Sequence, residues 1–318
     1  MVPLPTSSWA DLEFVASDSA GPAWTGRYNV KVVILGSGGR LGAALVREYQ
    51  DKFDIVGSFN RAQLDLTKAG QVREKLSPLE FDLLINCAAF TSVDLCESRR
   101  EDAFAINAEA PRQLAQLCTG KNAKLIHFST DYVFDGERRQ PYVEDDAAKP
   151  ISAYGESKRA GEKFVLEASD QHVVVRVSWV FGPDRPSFIE AMIKRARKEE
   201  RIEAIADKWS TPSYTRDIAD MLPRIFDVDA GIVHFANSGE CTWQEYGQHA
   251  LDCCRALGVP LKTKTVGTLK LADMKNWVAR RPIYSVLSTA KYQALSGISP
   301  RSWRDAVSDY IDRSYSKK

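Results

Sequence analysis

The sequence has almost no net charge: 43 Lys and Arg face 42 Asp and Glu, which leaves +1 over 318 residues. A chain this balanced exerts no global attraction on nucleic acid or acidic membranes, and only a local patch could supply one. It also lacks long apolar runs. The longest, such as Lys31–Leu35 and His172–Val175, are strand-sized, far below the roughly 20 residues a membrane-spanning helix needs. Cysteine is sparse, with six in all. Cys87, Cys96, Cys118, Cys241, Cys253 and Cys254 form no C-x-x-C pair, and no Cys/His cluster has zinc spacing. They read as free thiols packed as small hydrophobes, the usage of a reducing, cytoplasmic compartment. Residues 1–29 have neither the basic start nor the apolar core of a signal peptide. Rich in Ser, Pro, Ala and Gly, with Trp9 and Trp24, they read as an N-terminal extension. At 44% hydrophobic and 27% charged residues, the rest has the composition of a globular protein. Wholesale disorder, collagen and coiled-coil rods are excluded.

What is present is an alternation. From Val30 to about Val177, short β-rich runs alternate with helical patterns. Strands are expected at Val30–Gly36, Phe53–Ser58, Phe81–Ala89, Lys124–Thr130 and His172–Trp179. Helices are expected at Leu41–Gln50, Arg100–Cys118 and Ala153–Ala168. Near-continuous Val/Ile/Leu strands separated by helices imply a parallel sheet covered on both faces, and right-handed crossovers make it doubly wound. The fold class is therefore α/β, Rossmann-like, with a smaller C-terminal α/β domain. Beyond Trp179 the rhythm loosens. Helices are expected at Ser187–Arg201, Thr242–Leu257 and Pro300–Tyr315, with strands at Ile202–Asp207 and Gly231–Ala236. Thr242 and Glu245 have the spacing of a capping box. The expected division is a dinucleotide-binding domain at 30–177, rejoined by about 228–257, and a substrate-binding domain from 178–227 and 258–318.

The first strand runs into Gly36-Ser-Gly-Gly39-Arg-Leu-Gly42 and then a helix. In a strand–turn–helix context, Gly36 permits the tight turn, Gly39 lets the backbone approach a pyrophosphate, and Gly42 lets the helix pack on the sheet. The helix N-terminus offers free N–H groups and a positive dipole end to an anion. The alternative is a plain structural turn. The end of the second strand reads Gly57-Ser-Phe-Asn-Arg61, with no acidic residue to hold a ribose 2′-hydroxyl. Arg61 could instead pair with a 2′-phosphate, which favours NADPH, with NADH as the alternative. Otherwise Arg61 is a surface residue stacking near the adenine.

A chemical constellation follows. Tyr154-Gly-Glu-Ser-Lys158 places a phenol and an ammonium one helical turn apart. The ammonium lowers the phenol's pKa, so that Tyr154 can protonate a carbonyl oxygen gaining charge from hydride attack. Thr130, at the carboxyl end of a strand, could bond the same oxygen, and the small Ala88 and Ala89 would admit a nicotinamide ribose. Each of these alone has a plain packing explanation. Three strand ends supplying them together do not.

These motifs carry a resemblance. Gly36–Gly42, Leu64–Leu66, Asn86–Asp94, Ser129–Asp135, Tyr154–Lys158, Arg176–Phe181, Asp207–Ser213, Thr242-Trp243 and Arg280–Pro282 resemble the dTDP-4-dehydrorhamnose reductase family, a branch of the extended short-chain dehydrogenases/reductases. The likeness runs from about Val30 to the C-terminus. It implies an enzyme that reduces the C4 keto group of a dTDP-4-dehydro-6-deoxy sugar with NADPH, dTDP-4-dehydrorhamnose becoming dTDP-L-rhamnose. It implies that Tyr154 is the proton donor, Lys158 its partner and a ribose ligand, and Thr130 the third member. The implied cofactor residues are Gly36, Gly39, Arg40, Leu41, Gly42, Asn60, Arg61, Asp65, Leu66, Ala88, Ala89 and Thr91, with Tyr154 and Lys158. Val93, Asp131, Tyr132, Trp179 and Arg281 are implied on the sugar-nucleotide side. Core packing is the alternative for Trp179, a surface salt bridge for Arg281, and a scaffold role for Asp131 and Asn107.

The chain also departs from the family pattern. Lys208 stands where the family has glutamine, and Ser210 where it often has glycine, which puts the exact sugar in question. Ala43-Ala44 replace a glutamate that in some relatives holds a metal between subunits, so no such metal is expected. A monomer or homodimer is expected, acting on a dTDP-sugar without nucleic acid or membrane. Two other readings stay open: a non-catalytic regulatory subunit like the methionine adenosyltransferase beta subunit, and a nucleotide-sugar epimerase or dehydratase. Tyr132 argues against dehydration, because dehydrating relatives place glutamate after the Thr-Asp pair.

Overall fold

The computed structural model describes residues 30–229 and 231–316; the 1–29 extension with Trp9 and Trp24 lies outside them. Six strands form the central sheet: β1 (Lys31–Leu35), β2 (Asp54–Phe59), β3 (Leu83–Asn86), β4 (Lys124–Thr130), β5 (Val173–Val177) and β6 (Gly231–Phe235). Their spatial order is 2-1-3-4-5-6, and every pairing is parallel. Strand order reverses between β1 and β3. Connections leave in opposite directions there, which opens a crevice at the carboxyl ends of the strands.

The helices that matter below are α1 (Arg40–Tyr49), α2 (Ala69–Leu76), α3 (Ala110–Gly120), α4 (Ala153–Ala168), α5 (Phe188–Ala196), α6 (Thr215–Met221), α7 (Trp243–Ala256), α8 (Ala290–Ser296) and α9 (Trp303–Tyr315). Successive residues of a buried parallel strand face opposite layers. Val32 and Ile34 of β1 therefore pack with Leu45 and Tyr49 of α1, Ile218 of α6 and Tyr292 of α8. Val33 and Leu35 pack with Val72 of α2, Leu114 of α3 and Val165 of α4. This is the doubly wound arrangement that the apolar runs imply.

A second core gathers α5, α7 and α9 around the ladder of Ile202–Ile205 with Val266–Leu269. Its members come from both sides of the expected boundaries. Within 228–257 only β6 joins the sheet, while α7 turns Tyr246, Ala250, Leu251 and Cys254 into the second core. Conversely α6, inside the expected second domain, packs Ile218 and Met221 onto the sheet. The Thr242–Glu245 capping box forms at the start of α7.

The helix expected over Arg100–Cys118 is interrupted. Arg100–Phe104 gives way to a π-helical turn at Ala105–Glu109 before α3 begins. Pro111 in the first turn of α3 has no N–H to continue the ladder. The side chain of Asn107 bonds Phe90 N (2.8 Å), Phe90 O (3.0 Å) and Ser157 Oγ (3.0 Å). That turn thus ties the loop after β3 to α4, a placement typical of π-turns near functional sites.

A buried ion pair holds α4 to the sheet. Arg176 of β5 donates from Nε and Nη2 to the two carboxylate oxygens of Glu162, both at 2.8 Å. Burial alone would raise the Glu162 pKa, but the bonds from Arg176 hold it below the usual carboxylate range. Glu162→Gln leaves the arginine buried without a counter-charge and is expected to lower folding stability by about 3–5 kcal/mol, measured by urea unfolding at neutral pH. A carboxylate with a lowered folded pKa stabilises above its unfolded value and loses that contribution as pH falls. The gap between variant and wild type is therefore expected to narrow in acid. Coincident unfolding curves at neutral pH would show that the pair does not stabilise the fold.

Candidate active site

A cleft of about 520 Å³ opens at the strand-order reversal. Of the expected cofactor residues, Gly36, Gly39, Asn60, Arg61, Asp65, Leu66, Ala88 and Ala89 line it. Its floor is the turn from β1 into α1. Gly36 sits at φ +78°, a region that favours glycine. A Cβ on Gly42 would lie 2.2 Å from the Gly36 carbonyl oxygen. The helix can start this close to the strand only without a side chain there, and its first N–H groups then face the cleft.

The remaining expected cofactor residues are placed otherwise. The Arg40 guanidinium donates to the carbonyls of Val180 (3.0 Å), Arg185 (3.2 Å) and Pro186 (2.5 Å), so it ties the turn to the segment after β5. Leu41 packs against the core, and Thr91 is exposed beyond the cleft lining. Asp65, which lines the cleft, accepts through Oδ1 from Thr67 N (3.1 Å) and Oγ1 (2.7 Å), closing its own turn. Sequence reasoning missed two cationic lining residues, Arg99 and Arg185. Arg185 Nε donates to Gly38 O at 2.8 Å. Nothing in the sequence marks either arginine, because both reach the cleft from segments without a phosphate motif. With Arg61, they put three guanidinium groups on a wall that also holds Asp65 and Asp102. Arg99 is paired with Asp102 at 2.7 Å, which leaves Arg61 and Arg185 as the groups suited to a dinucleotide's phosphates.

Thr130 ends β4, and Tyr154 and Lys158 lie in the first turns of α4. The Ser152 side chain caps that helix by accepting from Gly155 N at 3.2 Å. Tyr154 is buried edge-on to Tyr132, ring centroids 5.7 Å apart. Burial raises its pKa and a hydrogen bond with Thr130 opposes the rise, leaving the phenol well protonated. The expected lowering by Lys158 is not what shifts Tyr154 here. Lys158 Nζ instead donates to the Phe128 carbonyl at 2.7 Å and lies 3.3 Å from His127 Nε2. Burial lowers Lys158 to about 8, against the pull of Glu162.

Beyond Tyr154, Asp131 is a hub. Its carboxylate accepts from Thr130 Oγ1 (3.1 Å), Ser210 Oγ (3.2 Å) and Ser285 Oγ (2.6 Å). The two departures from the family pattern meet here. Ser210 bonds Asp131. Lys208 is fully buried, with Nζ 5.4 Å from both the Tyr132 and Trp179 rings and 3.5 Å from Ser285 Oγ. Trp179 adopts φ +40°, rare for a side chain this large. Its ring stacks on Tyr246 at 6.1 Å. Val93 packs beside Tyr132 and Tyr154. Arg281 forms a two-point pair with Asp94 (3.1 and 2.6 Å) and stacks on Trp277 at 3.8 Å. Its guanidinium is thus already engaged, with the side chain only 8% exposed, so the pair is not a surface one. Among the described residues no cluster of three or more His, Cys, Asp or Glu could hold a metal. No described helix is long and apolar enough to cross a membrane.

Comparison with known proteins places this geometry. A family model described as the RmlD substrate binding domain matches residues 30–316. The chain is 34% identical to the spore coat polysaccharide biosynthesis protein SpsK of Bacillus subtilis, over 88% of this chain and 96% of that protein. It is 37% identical to dTDP-4-dehydrorhamnose reductase of Mycolicibacterium smegmatis, over 88% and 85%. The crystal structure of dTDP-4-dehydrorhamnose reductase from Bacillus anthracis in complex with NADP superposes with a TM-score of 0.85 at 30% identity, covering 90% of this chain and all of that one (100%).

Proposed function

The chain belongs to the dTDP-4-dehydrorhamnose reductase family, and from that premise we propose that it is an NADPH-dependent oxidoreductase. It reduces the C4 keto group of a dTDP-4-dehydro-6-deoxy sugar, dTDP-4-dehydrorhamnose becoming dTDP-L-rhamnose, with NADH as the alternative donor. The observation that carries the reading is the gathering of Thr130, Tyr154 and Lys158 beside a glycine-floored, arginine-bearing cleft. When bound, NADPH supplies the hydride. The α1 N-terminus and the arginines of the cleft wall suit its phosphates, with Arg61 the residue available for a 2′-phosphate. Arg61 is exposed at the end of β2.

The residues of this chain account for the other half of the reaction. Burial keeps the Tyr154 phenol protonated, the state a proton donor needs until negative charge develops on the sugar oxygen. Thr130 is hydrogen-bonded to that phenol and orients it. Its one proton goes to Asp131, and turning it from that carboxylate would offer a second donor to the same sugar oxygen. Tyr132, Trp179 and Val93 form the apolar side of the sugar site, and Asp131 fixes Thr130 from behind. We place Arg281 at the nucleotide end, where its pairing with Asp94 presents a rigid edge. We assign the reaction to the cytoplasm, a reading supported by six free cysteines, in a monomer or homodimer.

Tyr154→Phe is expected to lower the steady-state rate of NADPH oxidation about 10²–10⁴-fold while NADPH binding stays unchanged. Turnover near wild type would end the assignment of Tyr154. Arg61→Ala is expected to weaken NADPH binding about tenfold or more in fluorescence titration and to leave NADH affinity nearly untouched. Equal losses for the two cofactors would remove Arg61 as the discriminating residue.

A further inference from the structure

We propose that Asn86 and His127 are positioning residues for Lys158, and that dinucleotide binding is coupled to uptake of a proton by the Lys158 amine. Asn86 Oδ1 accepts from Ala88 N at 3.1 Å, which fixes the amide so that Nδ2 faces His127 Nδ1 at 3.1 Å. Nδ1 therefore accepts, and the neutral imidazole carries its proton on Nε2. Burial holds His127 well below its ordinary pKa, so it is neutral. The Nε2–H then points at Lys158 Nζ, 3.3 Å away.

Two donors cannot bond each other. A neutral amine can accept from Nε2–H and still donate to the Phe128 carbonyl at 2.7 Å. From Ala88 N–H through Asn86, His127 and Lys158 to Phe128 C=O, every donor then meets an acceptor. An ammonium at Lys158 breaks that order at the His127 step. Burial outweighs the pull of Glu162 and Cys87 toward the ammonium. Glu162, the next turn of α4, is already paired with Arg176 and Arg159. Tyr154, one turn back, is protonated, and burial keeps the Cys87 thiol after β3 protonated. No carboxylate among the described residues lies within salt-bridge distance of Nζ. In keeping with this, the amine is lowered to about 8. Acceptor oxygens that a bound dinucleotide's ribose would bring to Lys158 would favour the ammonium, and one proton would pass from solvent to Nζ.

This inference rests on the dinucleotide reading above. Calorimetric titration of the full chain with NADP⁺ tests it at about pH 8.5, well above the phosphate ionisation near 6. Two buffers of different ionisation enthalpy count the protons. Wild type is expected to take up about half to one proton per NADP⁺, with affinity falling toward about tenfold per pH unit above pH 8. Lys158→Met is expected to take up none. His127→Gln, whose amide can turn its oxygen toward Nζ, is expected to bind with a smaller proton count. No binding by the wild type would overturn the dinucleotide reading. Binding without proton uptake and with a flat pH profile, or uptake that persists in Lys158→Met, would overturn the coupling alone.

Discussion

The site depends on how one face of α4 is held against the sheet. Three successive turns of the helix each make a contact that tolerates little change. A Cβ on Gly155 would lie 2.2 Å from the Tyr132 carbonyl. Lys158 Nζ reaches the Phe128 carbonyl at 2.7 Å. Glu162 takes both arms of Arg176. Residues 155, 158 and 162 share one side of an α-helix, so the helix can neither rotate nor slide without losing all three. Tyr154 is carried on this fixed element, and its depth of burial, which keeps it protonated, follows from the docking. Two of the three contacts are polar and buried. Such contacts stabilise only when every partner is satisfied, so the arrangement specifies one position rather than a range.

Much of this was legible in the chain. Strand positions followed from short runs rich in Val, Ile and Leu, because a strand buried on both faces is apolar along most of its length. The glycine turn, the Tyr154–Lys158 pair and the strand-end Thr130 were legible because the chemistry demands those residue types at short spacing. Long-range relations were not. Arg99 and Arg185 enter the cleft from segments whose local sequence carries no signal. His127 sits inside a strand as an ordinary-looking buried residue, and only the fold brings it between Asn86 and Lys158. The π-turn at Ala105–Glu109 was hidden because Asn107 bonds residues 17 and 50 positions away. The exchange of α6 and α7 between the two cores was hidden too, since amphipathic helices announce a buried face but not the surface that buries it.

The sugar side carries the features that set this chain apart from the family pattern. Ser210 supplies a hydroxyl where glycine is common, and that hydroxyl goes to Asp131. Lys208 puts a buried cation between two aromatic rings. Burial lowers it to about 8, with Asp131 opposing. Both changes sit behind the residues assigned to the sugar. Ser210 reaches Thr130 through Asp131, whose carboxylate accepts from both hydroxyls, so these departures and the Thr130–Tyr154 pair are linked by one group.

The most direct test is the fate of the hydride. NADPH deuterated at the transferring position, incubated with the chain and dTDP-4-dehydrorhamnose, is predicted to leave deuterium on C4 of the 6-deoxyhexose, one per NADP⁺ formed, as read by NMR of the product. NADPH binding with no deuterium in the sugar would contradict the account.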